Sequence, residues 1–312
     1  MPTVALLVCR RYNDSMIHVG TCAWTEKSLI QSKEFYPKNV RTAESRLQFY
    51  AGCFDTVEVD STYYAIPQKS NALLWAARTP ANFVFHIKVY GALTGHAIDP
   101  KTLPPDIRAE LPDKDKTQKQ IYVKGPALLR LIAEKFMDAL YPLMDAGKLG
   151  VMLFQFPPWF IYKPENLDSI LNFKGMIGRN LMAVEFRHGS WYTSNVREKV
   201  FNFLRKNQII HVVADEPQFG SLATVPFVPQ TTADIAYYRL HGRNKDTWLQ
   251  RDVETSLRYA YLYSDKELKE FVPQVQTSAA RATETYVMFN NCHGGFAMRN
   301  AVRIKDLLKG ET

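Results

Sequence analysis

Four apolar runs in this 312-residue chain end in ionisable residues two positions apart: Glu58 and Asp60, His86 and Lys88, Glu185 and Arg187, Arg239 and His241. Side chains two apart on an extended strand share a face, so each pair projects from one side of its strand near the end. Parallel strands covered on both faces ordinarily read as Val, Ile and Leu, and an ionisable group removed from water is costly unless it is paired or serves a ligand. Asp215 stands just past another such run, Gln155 near the end of a further one, and Asn290 and Asn291 close the last. Carboxylates beside histidines (Glu58, Asp60, Glu185 and Asp215 with His188 and His241) are the groups that general acid and base catalysis requires, and they are the candidate catalytic and contact residues here. Lys88, Arg187, Arg239 and Arg243 are suited to holding an anion, because the guanidinium fork meets phosphate oxygens in pairs. The competing reading is a set of structural ion pairs between strands, for example Glu185 with Arg239.

Aromatic residues accompany these charges: Trp24, Tyr63, Tyr64, Trp191, Tyr192 and Trp248. Flat rings on a charged rim stack a nucleobase or a sugar face, and the same rings fill core beneath loops. Trp24, Tyr63 and Trp191 are expected to contact substrate, as are His188, Asn290 and Asn291. The turn at Gly294 and Gly295, followed by a helical pattern, offers backbone donors of the kind that hold phosphate. The chain has no GxSxG elbow, HExxH pair or P-loop. Arg and Lys interleaved with the acids would repel a divalent cation, so neither a metal nor another cofactor is expected.

Eight short β-branched or aromatic runs position these residues: Ile17 to Thr21, Thr56 to Asp60, Phe83 to Val89, Gly150 to Phe156, Leu181 to Arg187, Ile209 to Ala214, Ile235 to Gly242 and Thr285 to Asn290. Helical patterns lie between them, among them Ala43 to Ala51, Ser70 to Arg78, Ala127 to Ala146, Val196 to Lys206, Asp265 to Val275 and Met298 to Leu308. Strand and helix read as alternating throughout, which predicts a single α/β domain, a (β/α)8 TIM barrel, over residues 16–312 with an N-terminal extension over 1–15. An open doubly wound sheet is the other architecture, but no GxGxxG turn follows the first strand. The extension is expected to be dispensable, although Val4 to Val8 can instead form a cap or an arm. A long insertion after the third strand, Tyr90 to Leu149, carries a charged, Pro-bearing stretch from Asp99 to Gln120. A second long connection, Arg243 to Ala282, includes Tyr259, Tyr261 and Tyr263. Both follow strand ends that barrels use for functional loops, and the first is a candidate lid.

Composition narrows the partners. Hydrophobic content of 46% and charged content of 22% suit a folded core rather than a disordered chain. Lys and Arg number 39 against 31 Asp and Glu, a net charge of +8 that favours an anionic small molecule or nucleic acid, although no long basic run marks a nucleic-acid arm. Cys9, Cys22, Cys53 and Cys292 form no metal-ligand spacing, and no apolar run or leader pattern suggests a membrane or secretion, so a cytoplasmic protein is expected.

Val19 to Trp24, Phe35 to Pro37, Phe54 to Tyr64, Val184 to Tyr192, Tyr238 to Arg243, Phe289 to Asn291 and Arg299 to Ala301 together resemble, in this order along the chain, the motifs of domain-of-unknown-function family 72, the YecE-like proteins. The resemblance implies a TIM barrel distantly similar in fold to endonuclease-four-type and xylose-isomerase-type barrels, and implies no settled activity. Endonuclease-type relatives bind zinc through several histidines, whereas only His188 and His241 stand at strand ends here, so a trinuclear zinc nuclease is not implied. The expected function is acid/base catalysis on a phosphate-bearing or nucleic-acid-derived substrate. The alternatives are a non-catalytic nucleic-acid or nucleotide binder and, below it, a carbohydrate-active barrel, which needs two carboxylates at a defined separation.

Overall fold

The computed structural model describes residues 17–250 and 252–310; the N-terminal extension lies outside them. Eight parallel strands form the barrel: β1 (Ile17–Thr21), β2 (Thr56–Val59), β3 (Val84–Lys88), β4 (Leu149–Gln155), β5 (Met182–Glu185), β6 (Ile210–Asp215), β7 (Ile235–Leu240) and β8 (Glu284–Phe289). From β2 to β8 each strand pairs with its neighbour in chain order, and β8 returns to β1 in the register Ile17 to Thr285 through Thr21 to Phe289. The joint between β1 and β2 carries no ladder. A side chain closes it: the buried Tyr50 hydroxyl accepts from the Thr21 amide (3.0 Å) and donates to the Thr56 carbonyl (3.1 Å). Gly20 permits this approach, since a Cβ there would lie 2.5 Å from the Thr56 carbonyl oxygen.

Helices cover the outside: α1 (Lys27–Ser32), α2 (Ala43–Cys53), α3 (Lys69–Ala77), α4 (Pro126–Asp145), α5 (Pro164–Met176), α6 (Arg197–Lys206), α7 (Asp265–Ala279) and α8 (Phe296–Leu308). Local sequence explains their starts. Thr42 with Ser45 and Ser264 with Glu267 form capping boxes for α2 and α7, and Pro126 and Pro164 occupy first-turn positions where a missing N–H costs nothing. The larger apolar core lies between helices and sheet; a separate cluster, including Val151, Leu153, Ala183, Ile210, Val212, Tyr237 and Met288, fills the barrel interior. At the floor, His86 accepts a hydrogen bond from the Val151 amide (2.9 Å), and burial lowers its pKa to about 3.

Two expectations need correction. Strand and helix do not alternate throughout: β6 reaches β7 across residues 216–234 without a helix. Side chains staple that crossover, with Glu216 accepting from the Val225 amide (2.7 Å) and Thr232 accepting from the His211 amide (2.8 Å). Several strands also end earlier than their apolar runs suggest, because Asp60 begins a 3-10 turn and Arg187, Gly242 and Asn290 already belong to loops. The insertion after β3 holds short helices, a small antiparallel ladder pairing Ala97 with Tyr122 and Ile98 with Ile121, and then α4.

Candidate active site at the barrel mouth

Inward-facing residues ascend from apolar to charged along the strands. Just above Tyr237 lies Arg239, fully buried and wholly engaged. Its Nε and Nη2 donate to the two oxygens of Glu58 (3.1 and 2.6 Å), and its Nη1 donates to Glu185 (2.5 Å) and to the Gln155 side-chain oxygen Oε1 (3.0 Å). Tyr237 adds a hydroxyl to Glu58 (2.9 Å). The Glu185–Arg239 pair read as a structural alternative is therefore formed, and it is the centre of a larger network. Glu185 also accepts from Arg187 (3.0 Å) and lies 3.2 Å from His241 Nε2, while Asn290 donates to His241 Nδ1 (2.9 Å). Arg187 reaches Glu216 (3.2 Å) and lies over the Trp248 ring, 5.1 Å from its centroid.

Burial and pairing split the carboxyls. For Glu185 burial favours the neutral acid, but Arg239, His241 and Arg187 prevail and hold it well below the usual carboxylate range. Burial pushes Glu58 up to about 7 against the pull of Arg239, with the neighbouring Asp60 carboxylate adding to the rise. Glu216 reaches about 7 by burial against Arg187. Burial lowers His241 to about 4, so its ring is neutral at physiological pH.

Above this layer the mouth opens into two adjoining cavities that share Gln155 and Tyr259 in their walls, each of about 670 Å³. Asp60, Tyr63, Lys88 and Asn290 line one; Arg187, His188, His96 and Trp248 line the other. Lys88 sits 3.8 Å from Asp60 and 4.7 Å from the Tyr63 ring centroid. One Asp60 oxygen is buried without a hydrogen-bond partner. Among the described residues no group of three or more His, Cys, Asp and Glu side chains is placed to hold a metal ion, and no helix is long and apolar enough to cross a membrane.

The sequence-predicted residues thus divide. Asp60, Tyr63, Lys88, Arg187, His188 and Asn290 face the cavities, and Glu58, Glu185, Arg239 and His241 lie directly beneath. Asp215 and Arg243 do not join them. Gly242 turns the chain at φ 92° and sends Arg243 outward, where it grips Asp215 through Nε and Nη2 (2.9–3.1 Å) and reaches Glu267 on α7 (3.3 Å). Trp191 is fully buried, stacked on Phe186 and Phe160, with its N–H given to the Phe160 carbonyl. Trp24 packs against Trp75 and Phe85 over a separate side pocket, and the Asn291 side-chain NH2 donates to the Tyr261 carbonyl and to Asn300, outside both cavities. The Gly294 amide donates to Ser28 (2.7 Å), and α1 packs where an anion was expected. Sequence reasoning missed Glu216, His96 and the site role of Tyr259. Glu216 carried a signal: it has the parity of the inward residues Ile210 and Val212, which Asp215 lacks.

Residues 18–312 match the family described as "Protein of unknown function DUF72". The chain is 31% identical over 296 residues to the UPF0759 protein YunF of Bacillus subtilis, covering 94% of this chain and 95% of that one. It is similar to a solved DUF72 family protein of Enterococcus faecalis (TM-score 0.75, 28% identity, 94% and 95% of the two chains). It is also similar to one of Thermotoga maritima (TM-score 0.73, 32% identity, 95% and 100%).

Proposed function

The chain belongs to the DUF72 family, and from the chemistry of its barrel mouth we propose an acid/base enzyme acting on a phosphate-bearing, nucleic-acid-derived substrate. One observation carries the reading: Lys88 and Asp60 stand 3.8 Å apart on the wall of one open cavity, with a buried carboxyl of pKa about 7, Glu58, next to Asp60. Lys88 supplies a cation that no carboxylate grips closely, and Arg187 supplies a second at the adjoining cavity. Asp60 exchanges the proton with substrate, and Glu58 keeps a second proton within the network. Arg239 and Glu185 are positioning residues, because their hydrogen bonds fix Glu58 and Arg187 and neither lines the cavity. A non-catalytic nucleotide binder would use the same two cations without needing the carboxyl pair.

Thermal melts test the binding half. Phosphate and nucleotides are expected to raise the melting temperature of the native protein and to lose that effect in Lys88→Met, with EDTA having none. Absence of any anion effect, or marked destabilisation by EDTA, would overturn the reading. Mass spectrometry of the stabilising nucleotide then tests chemistry. Asp60→Asn should keep the thermal shift and lose product; no product from the native protein leaves the binder in place of the enzyme.

A further inference from the structure

Five aromatic rings run in a continuous strip from the mouth onto the lid-like insertion. Tyr64 meets Tyr63 at 5.0 Å between centroids and 86°, Tyr63 meets His96 at 5.1 Å and 86°, His96 meets Trp159 at 5.8 Å and 67°, and Trp159 meets Tyr122 at 6.4 Å and 81°. They come from the turn after β2, both strands' surroundings in the insertion ladder, and the loop after β4. None of these contacts stacks face on face. Each edge-to-face contact covers one face of one ring and leaves the remaining faces available, and Tyr64, Trp159 and Tyr122 are 61%, 58% and 56% exposed. Large rings left in water so close together mark a binding surface rather than ordinary core.

The strip is held firmly for a surface feature. Pairing of Ala97 with Tyr122 sets Tyr122 beside the residue that follows His96, and Thr94 bonds His96 Nδ1 (2.8 Å). Burial lowers His96 to about 4, so the central ring is uncharged at neutral pH. At the inner end Tyr63 lies against Lys88 on the cavity wall.

We propose that this strip stacks the successive bases of a single-stranded nucleic acid whose end enters the mouth. Charge complementarity at the mouth joins the ring geometry of the strip. Faces stack any planar base irrespective of sequence, while the cation at the strip's inner end meets phosphate. A neutral sugar would use the faces and leave Lys88 without a role. The inference rests on the reading above for its anion pole, and it makes the substrate a strand rather than a free mononucleotide.

Fluorescence anisotropy with a short labelled thymidylate strand tests it. The native protein should bind in a salt-dependent manner, and Trp159→Ala and Tyr122→Ala should each weaken binding about tenfold, while thymidine monophosphate still raises the melting temperature of both variants. Both side chains are exposed, so neither variant should disturb folding. Strand affinity unchanged in both variants overturns the strip while leaving the mononucleotide site standing. Trp159-dependent binding of a cello-oligosaccharide, with no binding of the strand, overturns it in favour of a carbohydrate. Strand binding that depends on Trp159 in a protein indifferent to phosphate and mononucleotide keeps the strip and removes the proposed anion pole.

Discussion

On the β5–β7 side of the mouth, Glu185, Arg187, Glu216, Arg239 and His241 hold one another at 2.5–3.3 Å, whereas on the β2–β4 side Lys88 stands 3.8 Å from Asp60 beneath rings open to solvent. The same residue types do different work in the two places. Where every donor finds an acceptor inside the protein, charge is a structural material, costly to break and, except for Arg187 at the cavity wall, closed to ligand. Where a cation has one distant partner and a cavity before it, charge is available. The division shows why counting cations at the rim overstates what can hold an anion: Arg239 and Arg243 are engaged by carboxylates.

The largest test of this contrast is Arg239→Met. It leaves Glu58 and Glu185 buried without their shared counter-charge, and an expected loss of about 3–5 kcal/mol should be seen in urea unfolding. A loss below about 1 kcal/mol would mean that the network does not behave as a unit.

Acidity should act next most strongly. His86, His96, His211 and His241 are lowered from 6.5 to between about 3 and about 4, so the unfolded chain binds protons that the folded one does not. Their contribution is complete above 6.5 and is lost as pH falls through about 4. Glu58 and Glu216, raised from 4.5 to about 7, act oppositely: their contribution is complete below 4.5 and lost as pH rises through about 7. Melting temperature should therefore peak near neutrality and fall more steeply on the acid side, where histidines outnumber carboxyls; a monotonic rise from acid to alkaline pH would contradict this.

The same two carboxyls give the anion site a sign. Deprotonating them adds negative charge beside Arg187 and Lys88, so the phosphate-induced thermal shift should shrink as pH rises through 7. Glu216→Gln should flatten that decline, and an unaltered profile would detach Glu216 from the site.

On the open side the effects on stability should be small. Lys88→Met should change unfolding free energy by less than about 1 kcal/mol, since the long ion pair of this buried lysine little more than offsets its own desolvation and Asp60 keeps Arg239 at 3.7 Å, and Trp159→Ala by less than about 0.5 kcal/mol, as for an exposed residue. A cost of several kcal/mol at either would erase the distinction between the two sides.

Most of the frame was legible in the sequence, because a buried parallel strand imposes a continuous apolar run and β1 through β8 each carry one. Parity likewise brought Glu58, Glu185, Arg239 and His241 to one layer. Parity ceases to bind once a strand has ended: Asp60, Arg187 and Glu216 keep it past their strands, whereas Arg243 does not. Arg243 has the inward parity of Arg239 and His241, but the turn at Gly242 intervenes. Asp215 stands out in the sequence by its position beyond an apolar run, while its neighbour Glu216 faces the network. Trp191 could not be separated from a rim aromatic, since core stacking on Phe186 depends on contacts between the loop and its own strand. His96 and Trp159 lie in connections, where no periodicity records which side chains will meet.

The seam between β1 and β2 makes this barrel a rolled sheet rather than a hydrogen-bonded ring. Rolled sheets retain two edges, and an edge presents unpaired backbone groups to any other chain. Here the edges guard each other: the glycine at position 20 lets them lie too close for an intruding strand, and the Tyr50 hydroxyl occupies a donor on one and an acceptor on the other. Tyr50 thereby leaves the Thr21 amide and the Thr56 carbonyl already engaged and so unavailable to a strand of another chain, an effect unrelated to whatever the mouth binds.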